Sequence, residues 1–154
     1  MEKNITMRVS RELKRLLETE GATVVLTRSA DTEVSVKGAN ATAVEELEAR
    51  CDIANRAGAD IFLSIHADAF TNRDVKGTTA YYYVKGSEQS KRLADCVRTA
   101  LIDSIGTLDR GTQTCNFYVV KHTDMPATLV EISFISNPDE EKMMNSEAGV
   151  KRIA

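Results

Sequence analysis

The sequence has no tryptophan, only two prolines and few aromatic residues, which make up 5% of its 154 residues. Basic residues are interspersed with acidic ones, so no basic patch with interleaved aromatic side chains points to nucleic-acid binding. The longest apolar runs are far too short to span a bilayer, so we expect no transmembrane segment. These absences argue against a nucleic-acid partner and against membrane insertion.

Cysteine is also scarce. The three cysteines are Cys51, Cys96 and Cys115, and no two of them have C-x-x-C spacing. An odd number without that spacing argues against a disulfide framework and against a zinc knuckle. We therefore predict buried, reduced thiols that act as small apolar side chains.

The composition that remains is that of a globular protein. Hydrophobic residues make up 42% of the chain, charged residues make up 28%, and the net charge is −3. The length is that of one ordinary domain, which is large enough to bury a core. We therefore predict a single domain over residues 1–154.

Helical patterns alternate with short apolar runs along the chain. Alternation of strands with helices of this length is typical of βαβ units, and strands that are apolar on both faces indicate a mainly parallel sheet covered by helices on each side. The predicted fold class is α/β, a three-layer αβα sandwich. Helices are predicted at 3–20, 42–58, 86–106 and 138–154, and strands at 22–27, 61–66, 79–84, 116–120 and 127–135.

Glu131 is the most informative residue, because it lies inside the apolar run 127–135. An ionised carboxylate buried there would cost several kcal/mol unless it is paired, protonated or placed beside a metal. A structural salt bridge explains such a residue, and so does a catalytic or metal-linked carboxylate, because perturbed carboxylates cluster at functional sites.

Four other residues are candidates by position. His66 ends an apolar strand and is either a packed residue or a metal ligand, and Asp68 either orients it or begins the next loop. Glu2 begins the first helix, where a carboxylate favours the helix dipole. His122 lies in a polar stretch and is predicted to be solvated. One histidine and one glutamate suggest metal-assisted hydrolysis but are too few for a catalytic zinc, which takes three protein ligands.

Seven motifs follow one another along nearly the whole chain. They are E-K-N-I at 2–5, V-V-L-T-R at 24–28, D-I-A-N-R-A-G-A-D at 52–60, S-I-H-A-D at 64–68, D-R-G at 109–111, N-F-Y-V-V at 116–120 and M-P-A-T-L-V-E-I-S-F-I-S-N at 125–137. With these motifs in this order, the sequence resembles the zinc-dependent type 3 family of N-acetylmuramoyl-L-alanine amidases.

The resemblance implies a role for each candidate residue. In the family, zinc is held by a His in a glycine-rich turn, by the Glu that begins the next helix and by the His of the S-I-H-A motif, while a second Glu serves catalysis. Glu2 and His66 are then zinc ligands and Glu131 is the catalytic carboxylate. The implied substrate is peptidoglycan or its muramyl peptides, cut between N-acetylmuramic acid and L-alanine by a monomer in the cell wall, outside the cell or in the periplasm.

The chain departs from the family pattern in one respect. No D-A-G-H-G-G-like segment is present, so we expect a catalytic domain that is incomplete at both ends, binds zinc weakly and has little activity. Two alternatives stay open. One is a catalytically dead cell-wall binding or regulatory domain derived from the enzyme, and the other is a zinc peptidase on a related fold.

Overall fold

A four-stranded sheet forms the middle layer of the computed structural model, which describes residues 1–154. The strand order is β1-β4-β2-β3. β1 pairs with β4 and β2 pairs with β3 in parallel, whereas β2 and β4 are antiparallel. The predicted α/β fold with a mainly parallel sheet is confirmed, with one antiparallel pair inside it. The strands are β1 (Phe62–Asp68), β2 (Thr78–Tyr83), β3 (Asp109–Cys115) and β4 (Ala127–Phe134).

Helices cover both faces of the sheet and form the two outer layers. None of them is long and apolar enough to cross a membrane. The helices are α1 (Glu2–Thr19), α2 (Ala43–Ala57), α3 (Glu88–Ile105), α4 (Tyr118–Lys121), α5 (Pro138–Asn145) and α6 (Glu147–Ile153).

Two separate apolar clusters lie on the two faces. The larger one, here called the major core, joins α1, α3, α5 and α6 to β1 and β4; its buried members are Ile5, Val9, Ala67, Leu101, Ile105, Val130, Ile132, Met144, Val150 and Ile153. The smaller one, here called the minor core, joins α2 and α4 to β1 and β4; its buried members are Cys51, Ala54, Phe62, Val119, Val120, Ala127 and Leu129. Because side chains alternate across a strand, β4 contributes to both cores.

Local sequence signals determine the ends of α2 and α3. The Thr42 hydroxyl accepts a hydrogen bond from the Glu45 amide, and the Glu45 carboxylate accepts one from the Thr42 amide, which is a complete capping box. Gly58 ends α2 at a φ of 58°, a left-handed conformation that favours glycine. At the start of α3 the Ser87 hydroxyl accepts a hydrogen bond from the Ser90 amide, so both helices lie where the sequence predicts them.

The strand predicted at 22–27 is wrong. This segment is extended but belongs to no sheet, and Val25 is 54% exposed. Its backbone makes a few isolated contacts, among them one from the Lys14 ammonium to the carbonyl of Val24. Its β-branched residues favour a strand, but a strand forms only where a neighbouring backbone pairs with it, and none lies alongside here.

The strand predicted at 116–120 is also wrong. The pairing strand is the preceding segment Asp109–Cys115, which is polar and mostly exposed and lies at the edge of the sheet. The predicted residues instead form the single helical turn α4, whose Val119 and Val120 are buried in the minor core. Packing against α2 therefore overrides the strand preference of these valines.

Two further predictions need correction. The final helix at 138–154 is two helices, because the Ser146 hydroxyl donates to the Met143 carbonyl at the end of α5 and accepts from the Gly149 amide at the start of α6. All three cysteines are free, as predicted, and Cys51 is buried. Cys96, however, is exposed, and Cys115 is only partly buried.

Candidate active site

A row of side chains crosses the sheet where the polar residues of three strands meet. His66 on β1 is the register partner of Glu131 on β4, and Glu131 is the register partner of Thr79 on β2. Register partners point to the same face of a sheet, and in β4 this is the face of Leu129 and the minor core. The pairing brings together two predicted site residues that are 65 positions apart in the sequence.

The third predicted residue, Glu2, reaches the same row from α1. Ile5 and Val9 fix this helix to the major core beside β1. The Glu2 Oε1 atom lies 2.9 Å from His66 Nδ1 and 3.5 Å from the amide nitrogen of Ala67. The hydrogen bond from His66 lowers the pKa of Glu2 and more than offsets the partial burial of the carboxylate.

The His66 ring is held at both nitrogens. Because the ionised Glu2 carboxylate can only accept, Nδ1 carries the proton in the neutral ring, and Nε2 accepts from the Ser64 hydroxyl 3.1 Å away. Ser64 lies two residues before His66 on the same face of β1. These contacts fix the orientation of the imidazole before any ligand binds.

Burial of the Glu131 carboxylate is energetically unfavourable. Its Oε2 atom is buried without a hydrogen-bond partner, and burial raises its pKa to about 7. His66 opposes that rise, whereas Asp68 and Glu2 add to it. Such a group exchanges protons near neutral pH, which is a property of general acid–base residues and a poor property for a structural salt bridge.

Tyr81 borders the row two residues beyond Thr79 on β2. Its ring meets that of Phe117 edge to face, with 5.3 Å between the ring centroids. Burial raises the pKa of the Tyr81 phenol, and the nearby carboxylates of Asp68 and Glu131 raise it further. The phenol is therefore neutral and available as a hydrogen-bond donor beside Glu131.

The donor set suits a zinc ion in part. Glu2 and His66 are of the ligand types that zinc prefers, and their facing atoms are 2.9 Å apart, close to the roughly 3.3 Å that separates two ligands of a tetrahedral zinc ion. The orphaned oxygen of Glu131 is next to them, where a metal-bound species would supply its missing partner. No three His, Cys, Asp or Glu side chains converge closely enough to hold a metal by themselves.

The remaining candidates lie outside this arrangement. Asp68 is the last residue of β1 and makes no hydrogen bond to His66; its carboxylate accepts from the Ala69 amide 2.7 Å away where the loop begins, which is one of its two predicted roles. His122 is exposed, as predicted, and stacks on Tyr118 with 4.0 Å between the ring centroids.

Sequence reasoning missed three residues of the site. Ser64, Thr79 and Tyr81 belong to strands that were predicted, and Ser64 lies in the motif S-I-H-A-D, but the sequence assigned none of the three a role in the site. The signal that could have found them is the alternation of side chains between the two faces of a strand. Each of the three lies an even number of residues from a residue of the same strand that faces the site. That signal becomes useful only when the strand register is known.

Comparisons with known proteins identify the family to which the chain belongs. A model of the N-acetylmuramoyl-L-alanine amidase family matches residues 1–154. The probable cell wall amidase LytH of Staphylococcus aureus is 38% identical over 148 residues, which are 96% of this chain and 44% of that protein. The N-acetylmuramoyl-L-alanine amidase LytC of Bacillus subtilis is 37% identical over 141 residues, which are 91% of this chain and 26% of that protein. The chain thus spans less than half the length of these relatives.

A solved structure gives the same result. The CwlD amidase of Clostridioides difficile, solved in complex with the GerS lipoprotein, has a TM-score of 0.90 and 30% identity; the match covers 99% of this chain and 80% of that one. The match therefore extends from the motifs to the whole fold. The chain belongs to the N-acetylmuramoyl-L-alanine amidase family.

Proposed function

We propose that this chain forms the catalytic part of a zinc-dependent amidase that hydrolyses the amide bond between N-acetylmuramic acid and L-alanine in peptidoglycan. One observation carries the proposal: the buried, unpartnered carboxylate of Glu131 lies beside the linked pair Glu2 and His66. Family membership supports the substrate, since the relatives are cell-wall hydrolases.

Each of the three residues has a role in this proposal. A zinc ion held by Glu2 and His66 would supply Lewis acidity toward water and the amide carbonyl. Glu131 takes a proton from the attacking water and passes it to the leaving nitrogen of L-alanine, first as base and then as acid. A pKa of about 7 suits both steps, because each form of the carboxyl is populated at neutral pH. Tyr81 offers a neutral donor to the substrate at the edge of the row.

The place of action follows from the same proposal. Relatives named as cell wall amidases support a site of action in the cell wall, outside the cell or in the periplasm. A monomer remains our prediction for the oligomeric state.

The test of the chemistry is Glu131→Gln. Gln cannot take up the proton, so we expect the release of L-alanine amino groups from digested muramyl peptides to fall at least ~100-fold. Glu48→Gln is the matched control, because Glu48 is exposed on α2. Near-parental hydrolysis by the Glu131 variant removes Glu131 from the mechanism. New amino groups on residues other than L-alanine would instead identify a peptidase.

The proposed zinc site is tested by measuring the zinc content per chain after dialysis against buffer that contains trace zinc. We expect weakly bound zinc in the parent chain, which has two proposed ligands, and its loss in both Glu2→Gln and His66→Ala, because each change removes one of them. His122→Ala is the control and keeps the parental amount, since His122 lies apart from the row. Zinc retained in His66→Ala contradicts the ligand assignment.

One observation favours a second candidate function. Since no three metal-binding side chains converge, a catalytically dead domain that only binds peptidoglycan is compatible with the described residues. If the chain is such a domain, the parent and the Glu131→Gln variant bind cell-wall material equally well, and neither of them releases amino groups. Measured hydrolysis by the parent excludes it.

A further inference from the structure

The row of side chains that crosses β1, β4 and β2 reaches β3 at a position where β3 has a bulge. Thr78 is the register partner of Asp109 and Ala80 is that of Thr112, so two β3 residues, Arg110 and Gly111, oppose the single residue Thr79. Gly111 has a φ of 83°, which favours glycine. A bulge changes the direction in which a side chain points, and this one lies in line with His66, Glu131 and Thr79.

Other side chains hold the bulge in place. Arg98 on α3 forms an ion pair with Asp109 and donates to the Thr112 hydroxyl, 2.9 Å away, on the other side of the bulge. The Asp109 carboxylate also accepts from the Gly111 amide at 2.7 Å. The hydrogen bond from Arg98 lowers the pKa of Asp109, so this carboxylate is committed to Arg98.

The Arg110 side chain is fixed along its length. A Cβ atom on Gly77 would lie 3.0 Å from Arg110 Cγ and 2.5 Å from the Leu108 carbonyl oxygen, so only glycine leaves room for the stem. The guanidinium carbon lies 5.3 Å from the centre of the Phe134 ring. One guanidinium nitrogen donates to the Lys76 carbonyl at 3.3 Å. An arginine held by packing and stacking loses little freedom when it binds a ligand.

This fixed cation has no acidic partner within the protein. Arg110 is exposed and belongs to none of the salt bridges, although its neighbour Asp109 does. A guanidinium has five N–H donors, and only one is used here. The free donors form a planar fork that matches a carboxylate.

Arg110 lies near the row formed by His66, Glu131 and Thr79. Phe134, over which it stacks, is the register partner of Asp68 and lies three residues after Glu131 on β4. Because a bulge in β4 lies between them, Glu131 and Phe134 pair with His66 and Asp68, which are two residues apart, so they lie about 7 Å apart along the sheet. With the guanidinium carbon a further 5.3 Å from the Phe134 ring, the distance to Arg110 is on the order of two to three peptide units. A carboxylate that far along a peptide bound at Glu131 therefore falls within reach of Arg110.

We propose that Arg110 is a specificity-determining residue that binds a free carboxylate in the peptide part of the substrate, two to three residues beyond the amide bond at Glu131. The inference rests on the proposed function for the identity of that peptide. It adds a preference for acidic stem peptides over peptides in which the same carboxylates are amidated. Arg110 also offsets the repulsion that Asp68, Glu2 and Glu131 would exert on such a ligand.

Equilibrium binding tests this without requiring turnover. The probes are N-acetylmuramoyl-L-alanyl-D-glutamate with both carboxylates free and the same compound as its dicarboxamide, titrated into the whole chain in the presence of EDTA at low ionic strength. We expect the parent to bind the dicarboxylate about five- to tenfold more tightly, which is the range for one charge-assisted pair. We expect Arg110→Gln to lose this preference and Arg110→Lys to keep part of it, because lysine retains the charge without the fork.

Arg92→Gln is the matched control, since Arg92 is an exposed arginine on α3, which packs on the opposite face of the sheet. It should keep the parental preference, and raising the salt concentration should reduce that preference in the parent. Equal binding of the two probes by the parent, binding of neither, or an unchanged preference in Arg110→Gln overturns the inference. Hydrolysis is measured separately. A parent that prefers the dicarboxylate but cleaves nothing contradicts the proposed function and leaves the role of Arg110 intact.

Discussion

The two faces of the sheet differ in how completely helices cover them. On the face of the major core, β4 packs against α3 and α5, and its Val130 and Ile132 are 2% and 1% exposed. On the other face, α2 and α4 cover Ala127 and Leu129 at the start of β4 but leave Glu131 only partly buried. The covered face stabilises the fold, and the gap in cover on the other face leaves Glu2, His66 and Glu131 partly exposed.

Neighbouring residues of one strand show this difference most clearly. Glu131 and Ile132 are adjacent in sequence and point to opposite faces. Ile132 gains free energy from burial, whereas Glu131 loses it, because one carboxylate oxygen is buried without a partner. Substitutions at these two positions should therefore change stability in opposite directions.

The largest effect on stability is expected from Ile132→Ala. Removing a fully buried side chain from the major core should lower the free energy of unfolding by about 3 to 4 kcal/mol, from lost transfer energy and a cavity. Urea denaturation measures it. The matched control is Val36→Ala, because Val36 is fully exposed and its truncation should change stability by less than about 0.5 kcal/mol. A change below about 1 kcal/mol for Ile132→Ala would mean that this face is not packed as described.

The opposite sign is expected from Glu131→Gln, and it depends on pH. Burial raises the pKa of Glu131 from 4.5 to about 7, so the unfolded chain loses this proton at lower pH than the folded chain does. The parent therefore loses stability as pH rises between those values, and the full cost is present above about pH 7. Gln carries no charge and avoids the cost.

We therefore expect Glu131→Gln to be more stable than the parent by about 2 kcal/mol at pH 8, a figure reduced for partial exposure, and to match it near pH 4. Urea denaturation in the presence of EDTA at both pH values measures the difference. Glu48→Gln is the control and should change stability by less than about 0.5 kcal/mol, since Glu48 is exposed. A Glu131 variant that is less stable than the parent at pH 8 would indicate that the carboxylate has a structural partner.

A smaller effect is expected from Thr42→Ala on the partly covered face. The change removes the capping box of α2, the longer of the two helices there, and should cost about 1 kcal/mol. Thr71→Ala is the control, because Thr71 is exposed in a loop and should have an effect near zero. Equal effects of the two changes would show that α2 does not depend on its cap.

Local chemistry made much of the fold predictable. Some structural signals involve only a few consecutive residues and can therefore be recognised in the sequence. They are the capping residues of α2 and α3, the glycines that end these helices and the apolar runs of β1, β2 and β4. Glu131 was identifiable for a related reason, because a carboxylate within an apolar run is costly wherever the strand lies. His66 and Glu2 were weaker signals, and the family resemblance was needed to single them out.

Predictions failed where pairing decides the structure. The segment 22–27 has strand-forming residues and no strand beside it, whereas polar Asp109–Cys115 is a strand because β2 pairs with it. Val119 and Val120 form a helical turn because their side chains pack against α2. Edge strands and single helical turns carry little pattern of their own, so neighbours determine them.

The sequence by itself determined where the main helices begin and end and that Glu131 is a costly carboxylate, because these depend on neighbours along the chain. The tertiary structure alone decided that Glu2, His66 and Glu131 meet, since they lie on three elements far apart in sequence. It also decided the direction of Arg110, because that depends on a bulge whose existence requires the register of β2 against β3. Register is a property of two strands together, and neither strand specifies it alone.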